Sequence, residues 1–142
     1  QTIGSEKSIN LCDLLAPSLK VSEFRFINLQ YGDVINEIIS ATSIFPVSFD
    51  LSESINKYDD IDSLCALISS CDFVITTSNS TAHLCGCLGV IVPARGRARL
   101  WYWWNIGDNG HSLWYPNLRI ITYHDLSELD TKLTNIFIDN NH

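Results

Sequence analysis

The stretch Asp72–Leu88, DFVITTSNSTAHLCGCL, is where the fold of this chain is decided. Its first half, Asp72 to Thr77, is a nearly continuous apolar and β-branched run, the pattern of a strand covered on both faces. Its second half turns through Ser78 and Asn79 into a helix over Ser80 to Leu88, which Gly89 closes. A buried strand that feeds a helix through a short polar turn is the repeating unit of parallel sheets, whose strands need crossover connections.

The same alternation extends both ways along the chain. Upstream, Asp59 precedes a helix in which Ile61, Leu64, Cys65, Ile68 and Cys71 recur at spacings of three and four, with Asp62 in its first turn. Before it, Pro46 to Leu51 reads as a short strand. Phe24 to Tyr31, FRFINLQY, reads as an aromatic and β-branched strand that Gly32-Asp33 turns into a helix with Ile35, Ile38 and Ile39 facing inward. Leu11, Leu14 and Leu15 share a helical face behind Asn10 as N-cap, and Pro17 stops that helix. Downstream, Val90 to Val92 is a fourth strand and Leu118 to Tyr123 a fifth. Asp125 and Glu128 make a capping-box-like start for a last helix carrying Leu126, Leu129, Leu133 and Phe137. The expectation is an α/β fold: one domain over residues 1–142, with a Rossmann-like, open, mostly parallel sheet of about five strands and helices on both faces.

Composition narrows the function classes. At 142 residues the chain suits one core, and no apolar run reaches the ~20 residues that span a bilayer. Gln1 to Asn10 has neither the basic nor the apolar segment of a secretory signal, so the cytosol is the default compartment. A net charge of −7 disfavours nucleic acid and anionic lipid as partners, so an anionic ligand needs a local exception. No Lys or Arg lies between Lys57 and Arg95, after which Arg95, Arg97 and Arg99 follow closely. They form either a solvated loop or one that faces phosphate. The five cysteines, Cys12, Cys65, Cys71, Cys85 and Cys87, contain no C-x-x-C and are odd in number, which suits apolar filling better than zinc or a disulfide framework.

Ligands of open parallel sheets bind beyond the carboxyl ends of the strands, which singles out Thr77 to His83, TSNSTAH. A helix start presents open N–H groups and partial positive charge to an anion. Ser80 and His83 are three apart, hence on one face, and helical side chains lean toward the N-terminus. Thr81, Leu84, Cys85 and Leu88 are left for the sheet. Gly86 inside the helix costs about 1 kcal/mol relative to Ala and so suggests close backbone packing. The plainer reading makes Ser78 or Asn79 an N-cap and His83 a satisfied surface histidine.

The run from Asp59 to Val90, DDIDSLCALISSCDFVITTSNSTAHLCGCLGV, followed by LWYWW and SLWYPNLRI, resembles the C-terminal catalytic region of the tetratricopeptide-repeat-linked glycosyltransferases. These belong with the heptosyltransferase-like enzymes of GT-B architecture. KSINL and FRFINLQYGD also resemble segments of that family. The resemblance implies inverting transfer of sugar from a nucleotide diphosphate sugar, without an essential metal or other cofactor. It implies that Ser78, Asn79, Ser80, Thr81 and His83 hold the donor's phosphates and that Gln30 lines the same cleft. Trp101, Trp103, Trp114 and Tyr115 match aromatic positions of the late loops, either anchoring a loop or stacking on a base or sugar. Arg95, Arg97 or Arg99 would supplement the phosphate site.

The chain departs from the family in ways that bear on activity. Relatives carry a further strand and Gly-rich loop of this domain ahead of the stretch resembling Gln1 to Leu11, and before that an acceptor-binding domain. Neither lies in these residues, and no general base for the acceptor hydroxyl can be nominated. The expected function is therefore donor binding within a larger glycosyltransferase, with the chain by itself inactive. A non-catalytic binding or assembly module derived from that fold is the alternative, and a flavodoxin-like or receiver-like domain leaves TSNSTAH and the Trp-rich loop unexplained. An incomplete sheet would also expose edges for self-association.

Overall fold

The computed structural model describes residues 9–21, 24–88 and 110–139, together with the backbone of 92–95. Among these, the elements run α1 (Leu11–Ser18), β1 (Arg25–Ile27), α2 (Ile35–Ile44), β2 (Ser48–Asp50), α3 (Ile61–Ser69), α4 (Ser80–Leu88), β3 (Val92–Arg95), β4 (Ile120–Tyr123) and α5 (Leu126–Asp139).

Among the described residues the expected five-stranded sheet is not formed. β1 pairs with β2, Phe26 opposite Phe49, and β3 pairs with β4, Val92 opposite Ile120. Both pairings are parallel, and each makes a sheet of only two strands. Strands of three or four residues beside helices of eight to fourteen make the regular structure mostly helical. The segment read as the central strand, Asp72 to Thr77, joins neither sheet; Ile75 makes a single bridge and Val74 alone of the run is buried. A continuous apolar run reports burial and not which backbone it pairs with.

FRFINLQY shortens for a local reason. The Asn28 N–H still donates to the Asp50 carbonyl at 2.8 Å, but Asn28 Oδ1 then accepts the Gln30 N–H at 3.0 Å. That side-chain turn draws the backbone out of the ladder.

The chain forms two compact units, Asn10–Leu67 with Asp130–His142, and Gln1–Ile9 with Ile68–Leu129. In the first, Asn10 Oδ1 accepts the Cys12 N–H at 2.8 Å and Glu37 Oε1 accepts that of Leu11 at 3.1 Å. Two open donors of α1 are thereby satisfied, with a carboxylate at the positive helix end. Pro17 lies inside the last turn of α1, one residue before its end. On α2 the buried positions are Ile38 and Ala41, whereas Ile35 and Ile39 are 45% and 59% exposed, so the inward stripe is rotated from the expected one. Leu15, Leu64, Leu133 and Phe137 fill this core, each contributing about 1.5–3 kcal/mol by leaving water. Phe26 stacks on Phe49 at 5.2 Å between centroids, and Phe24 meets Phe137 at 5.1 Å.

In the second unit, α4 buries Thr81, Ala82, Cys85 and Gly86, β4 buries Ile120, Ile121 and Tyr123, and Leu118 is fully enclosed. Asp125 Oδ1 accepts the Glu128 N–H, and Glu128 Oε2 accepts that of His124, both at 2.8 Å, which starts α5 as the sequence pattern implies. The five cysteines form no disulfide; Cys85 is buried, Cys12, Cys65 and Cys71 partly so, and Cys87 is exposed. Apolar filling thus describes Cys85 fully and Cys87 not at all. No helix among the described residues is long and apolar enough to cross a membrane.

Candidate functional site

The start of α4 is set by Asn79. Its side-chain Oδ1 and its own carbonyl both accept the Ala82 N–H, each at 3.1 Å, and the Thr76 hydroxyl lies 3.3 Å from the same Oδ1. Asn79 is therefore the N-cap, with its side-chain oxygen committed to the helix. Ser80 is exposed beside it, and Ser78 is partly buried. Thr81 is only 7% exposed, so its hydroxyl belongs to the interior. What Thr81 offers a ligand is the N–H of the first helical turn.

His83, one turn further, is partly buried and touches Tyr115. Its Nδ1 lies 3.0 Å from the Tyr115 hydroxyl, with the rings edge-on at 68°. Gly86 explains how the phenol comes so near: a Cβ there would sit 2.5 Å from Tyr115 Cγ and 2.8 Å from both Cδ atoms. The missing side chain of a mid-helix glycine is the space that the Tyr115 ring fills.

Tyr115 is in turn fixed by its loop. His111 and Arg119 form an antiparallel bridge, the Ser112 N–H donates to the Leu118 carbonyl at 2.9 Å, and the Leu118 N–H donates to the Tyr115 carbonyl at 2.8 Å. Buried Ser112 accepts the N–H groups of Trp114 and Tyr115 at 3.2 and 3.3 Å, and His111 Nδ1 donates to the Pro116 carbonyl at 2.7 Å. Trp114 itself is 58% exposed. Sequence reasoning named Tyr115 only as an aromatic loop position and missed Ser112. Gly86, three residues after His83 and so on its face, was the signal that a ring packs there.

Gln30 belongs to the other unit. It is exposed there and lines a pocket of about 330 Å³ together with Asn28, Tyr31, Glu53, Lys57 and Tyr58, just beyond the carboxyl ends of β1 and β2. Tyr31 and Tyr58 meet edge to face at 5.7 Å. Lys57 Nζ donates to the Leu51 carbonyl at 2.6 Å, and burial holds its pKa below the ordinary lysine value against the pull of Glu53 and Asp50. Arg99, Trp101 and Trp103 lie outside the described residues, as does Arg97, and Arg95 ends β3. Among the described residues no three His, Cys, Asp or Glu side chains converge as a metal site would need.

The α4 start thus presents hydrogen-bond donors at the positive end of a helix, N–H groups of the first turn and the Ser80 hydroxyl, with the His83 imidazole one turn along the same face. Such a set suits an anion. The sequence matches no protein-family profile, and no solved structure matches it. It is 35% identical over 106 residues to Protein FlbA of Caulobacter vibrioides (strain ATCC 19089 / CIP 103742 / CB 15). That match takes in 75% of this chain and 17% of FlbA, so the chain spans about a sixth of the curated relative's length.

Proposed function

We propose that this chain binds a nucleoside diphosphate sugar and is the donor-binding part of an inverting glycosyltransferase, working in the cytosol. The observation that carries the reading is His83, held by Tyr115 on the same helical face as Ser80 at the start of α4. As a glycosidic bond to a diphosphate breaks, negative charge grows on the leaving phosphate. Preorganised donors at that point lower the barrier, and here they are a helix N-terminus, a hydroxyl and an imidazole. The resemblance to the tetratricopeptide-repeat-linked glycosyltransferases supports the same assignment for Ser78 to His83. The base that takes the acceptor's proton, and the acceptor site, are then supplied from outside these residues.

Titration calorimetry with uridine, guanosine and adenosine diphosphates tests the reading. One of the three should bind, and His83→Ala should weaken it about ten- to a hundredfold, the worth of a charge-assisted contact. The melting temperature should change little. Failure of all three to bind the folded protein overturns the proposal.

A further inference from the structure

We infer that the pocket beyond β1 and β2 is a binding site for a neutral saccharide, with the Tyr31 and Tyr58 rings against the sugar's C–H face and the Asn28, Gln30 and Glu53 side chains on its hydroxyls. At about 330 Å³ it lies at the small end of the ~300–1,000 Å³ usual for small-molecule sites, which suits a short ligand rather than a long chain. Its place is the one where parallel strands receive ligands, past their carboxyl ends. It belongs to the unit that does not contain α4, so the inference does not rest on the diphosphate reading.

Charge and shape together select the ligand class. Lys57 is the one cation of the lining, and its ammonium donates to the Leu51 carbonyl at 2.6 Å and faces the carboxylates of Glu53 and Asp50. Asp50 also pairs with Arg25 at 3.0 Å, so two cations meet two carboxylates and little charge is left to attract an ion of either sign. Tyr31 and Tyr58 are 53% and 71% exposed, and their rings meet at 68°. Rings at that angle form a corner, not the parallel slot that sandwiches a nucleobase. A pyranose, apolar on its C–H face and polar at its rim, needs only one ring face. The rim is also provided for. Asn28 Oδ1 accepts the Gln30 N–H, which leaves the Asn28 amide N–H groups as donors without a partner among the described residues. Gln30 adds a donor and an acceptor, and Glu53 accepts. The walls are preformed: Asn56 Oδ1 accepts the N–H groups of Tyr58 and Asp59 at 3.1 and 3.2 Å, and Tyr31 precedes Gly32, whose φ of +90° favours glycine.

Ring-resolved magnetic resonance titrations of the full chain, with the two tyrosines assigned from Tyr31→Phe and Tyr58→Phe, test the inference. The probes are methyl glycosides of glucose, galactose, mannose and N-acetylglucosamine, with adenosine, uridine and pyrophosphate as contrasts. At least one glycoside should bind in roughly the millimolar range expected of so small a ligand and shift both ring signals. Tyr58→Ala, a change at an exposed side chain, should weaken that binding about tenfold and Gln30→Ala about threefold, with the circular dichroism unchanged, whereas Tyr58→Phe should keep it. His83→Ala should leave it unaltered, so that failure of the nucleoside diphosphates at α4 and failure of this site are separate results. The inference is overturned if no glycoside shifts the tyrosine signals, or if one binds Tyr31→Ala and Tyr58→Ala as tightly as the native chain. Adenosine, uridine or pyrophosphate taking the pocket in preference to every glycoside overturns it as well.

Discussion

Gly86 looks at first like a defect, since an exposed mid-helix glycine costs about 1 kcal/mol relative to alanine. The position is buried, however, and an added Cβ would meet the root of the Tyr115 ring rather than a flexible tip. Overpacking of that kind typically costs about 1–3 kcal/mol, which outweighs the gain in helix propensity. Gly86→Ala should therefore lower stability by about 1–2 kcal/mol in denaturant titrations and release His83 from Tyr115; a stabilised Gly86→Ala protein would show that the ring is not held there. Ser112 is the second residue of this kind, because its buried oxygen accepts two backbone N–H groups. Its replacement by Ala leaves those donors to find other partners, a loss of about 1–3 kcal/mol that chemical denaturation should register. Gly86 was hard to weigh from the sequence because its partner, Tyr115, is 29 residues away, whereas the partners of Ser112, Trp114 and Tyr115, are only two and three residues on.

At the level of elements, the helices were the legible part. Asn10, Asp125 with Glu128, and the polar turn before Ser80 each carry their start signal in a few adjacent residues, and the structure uses them as caps. Strands were legible only as short pieces. A strand is stabilised by a partner that local sequence does not name, so DFVITT gave burial without pairing and Asn28 ended β1 earlier than the aromatic run implied. Asp60 offers an element-scale test. Before α3 it accepts the Ser63 N–H at 2.9 Å, and hydrogen bonds from Ser63, side chain first and backbone second, hold its carboxyl below the ordinary 3.8. A depressed carboxylate stabilises the fold above its unfolded pKa of about 3.9 and loses that contribution as pH falls through the lower, folded value. Asp60→Asn keeps a capping oxygen but not the charge, so the stability gap between the two proteins should be fully open near neutral pH and close in acid. A gap that stays constant down to acid pH would remove the cap's ionic share.

For the molecule as a whole, the organising fact is that the parallel pairings are divided between two compact units, β1 with β2 in one and β3 with β4 in the other. Among the described residues each strand has one ladder neighbour, and two-stranded pieces lean heavily on packing for their stability. Open edges of this kind recruit further strands, so sedimentation velocity over a wide concentration range should show reversible association. A sharp, concentration-independent monomer would mean that these edges are covered. The five thiols have a different consequence. Only Cys87 is exposed, whereas Cys85 is buried and burial pushes the thiol of Cys71 up and away from its reactive form. Cys87 also stands four residues after His83, its neighbour on the surface of α4. A maleimide dye added below stoichiometry should attach there first, giving the native chain, with no engineered residue, a fluorescent reporter one turn from His83 and about two helical turns from the mouth that we assign to the diphosphate.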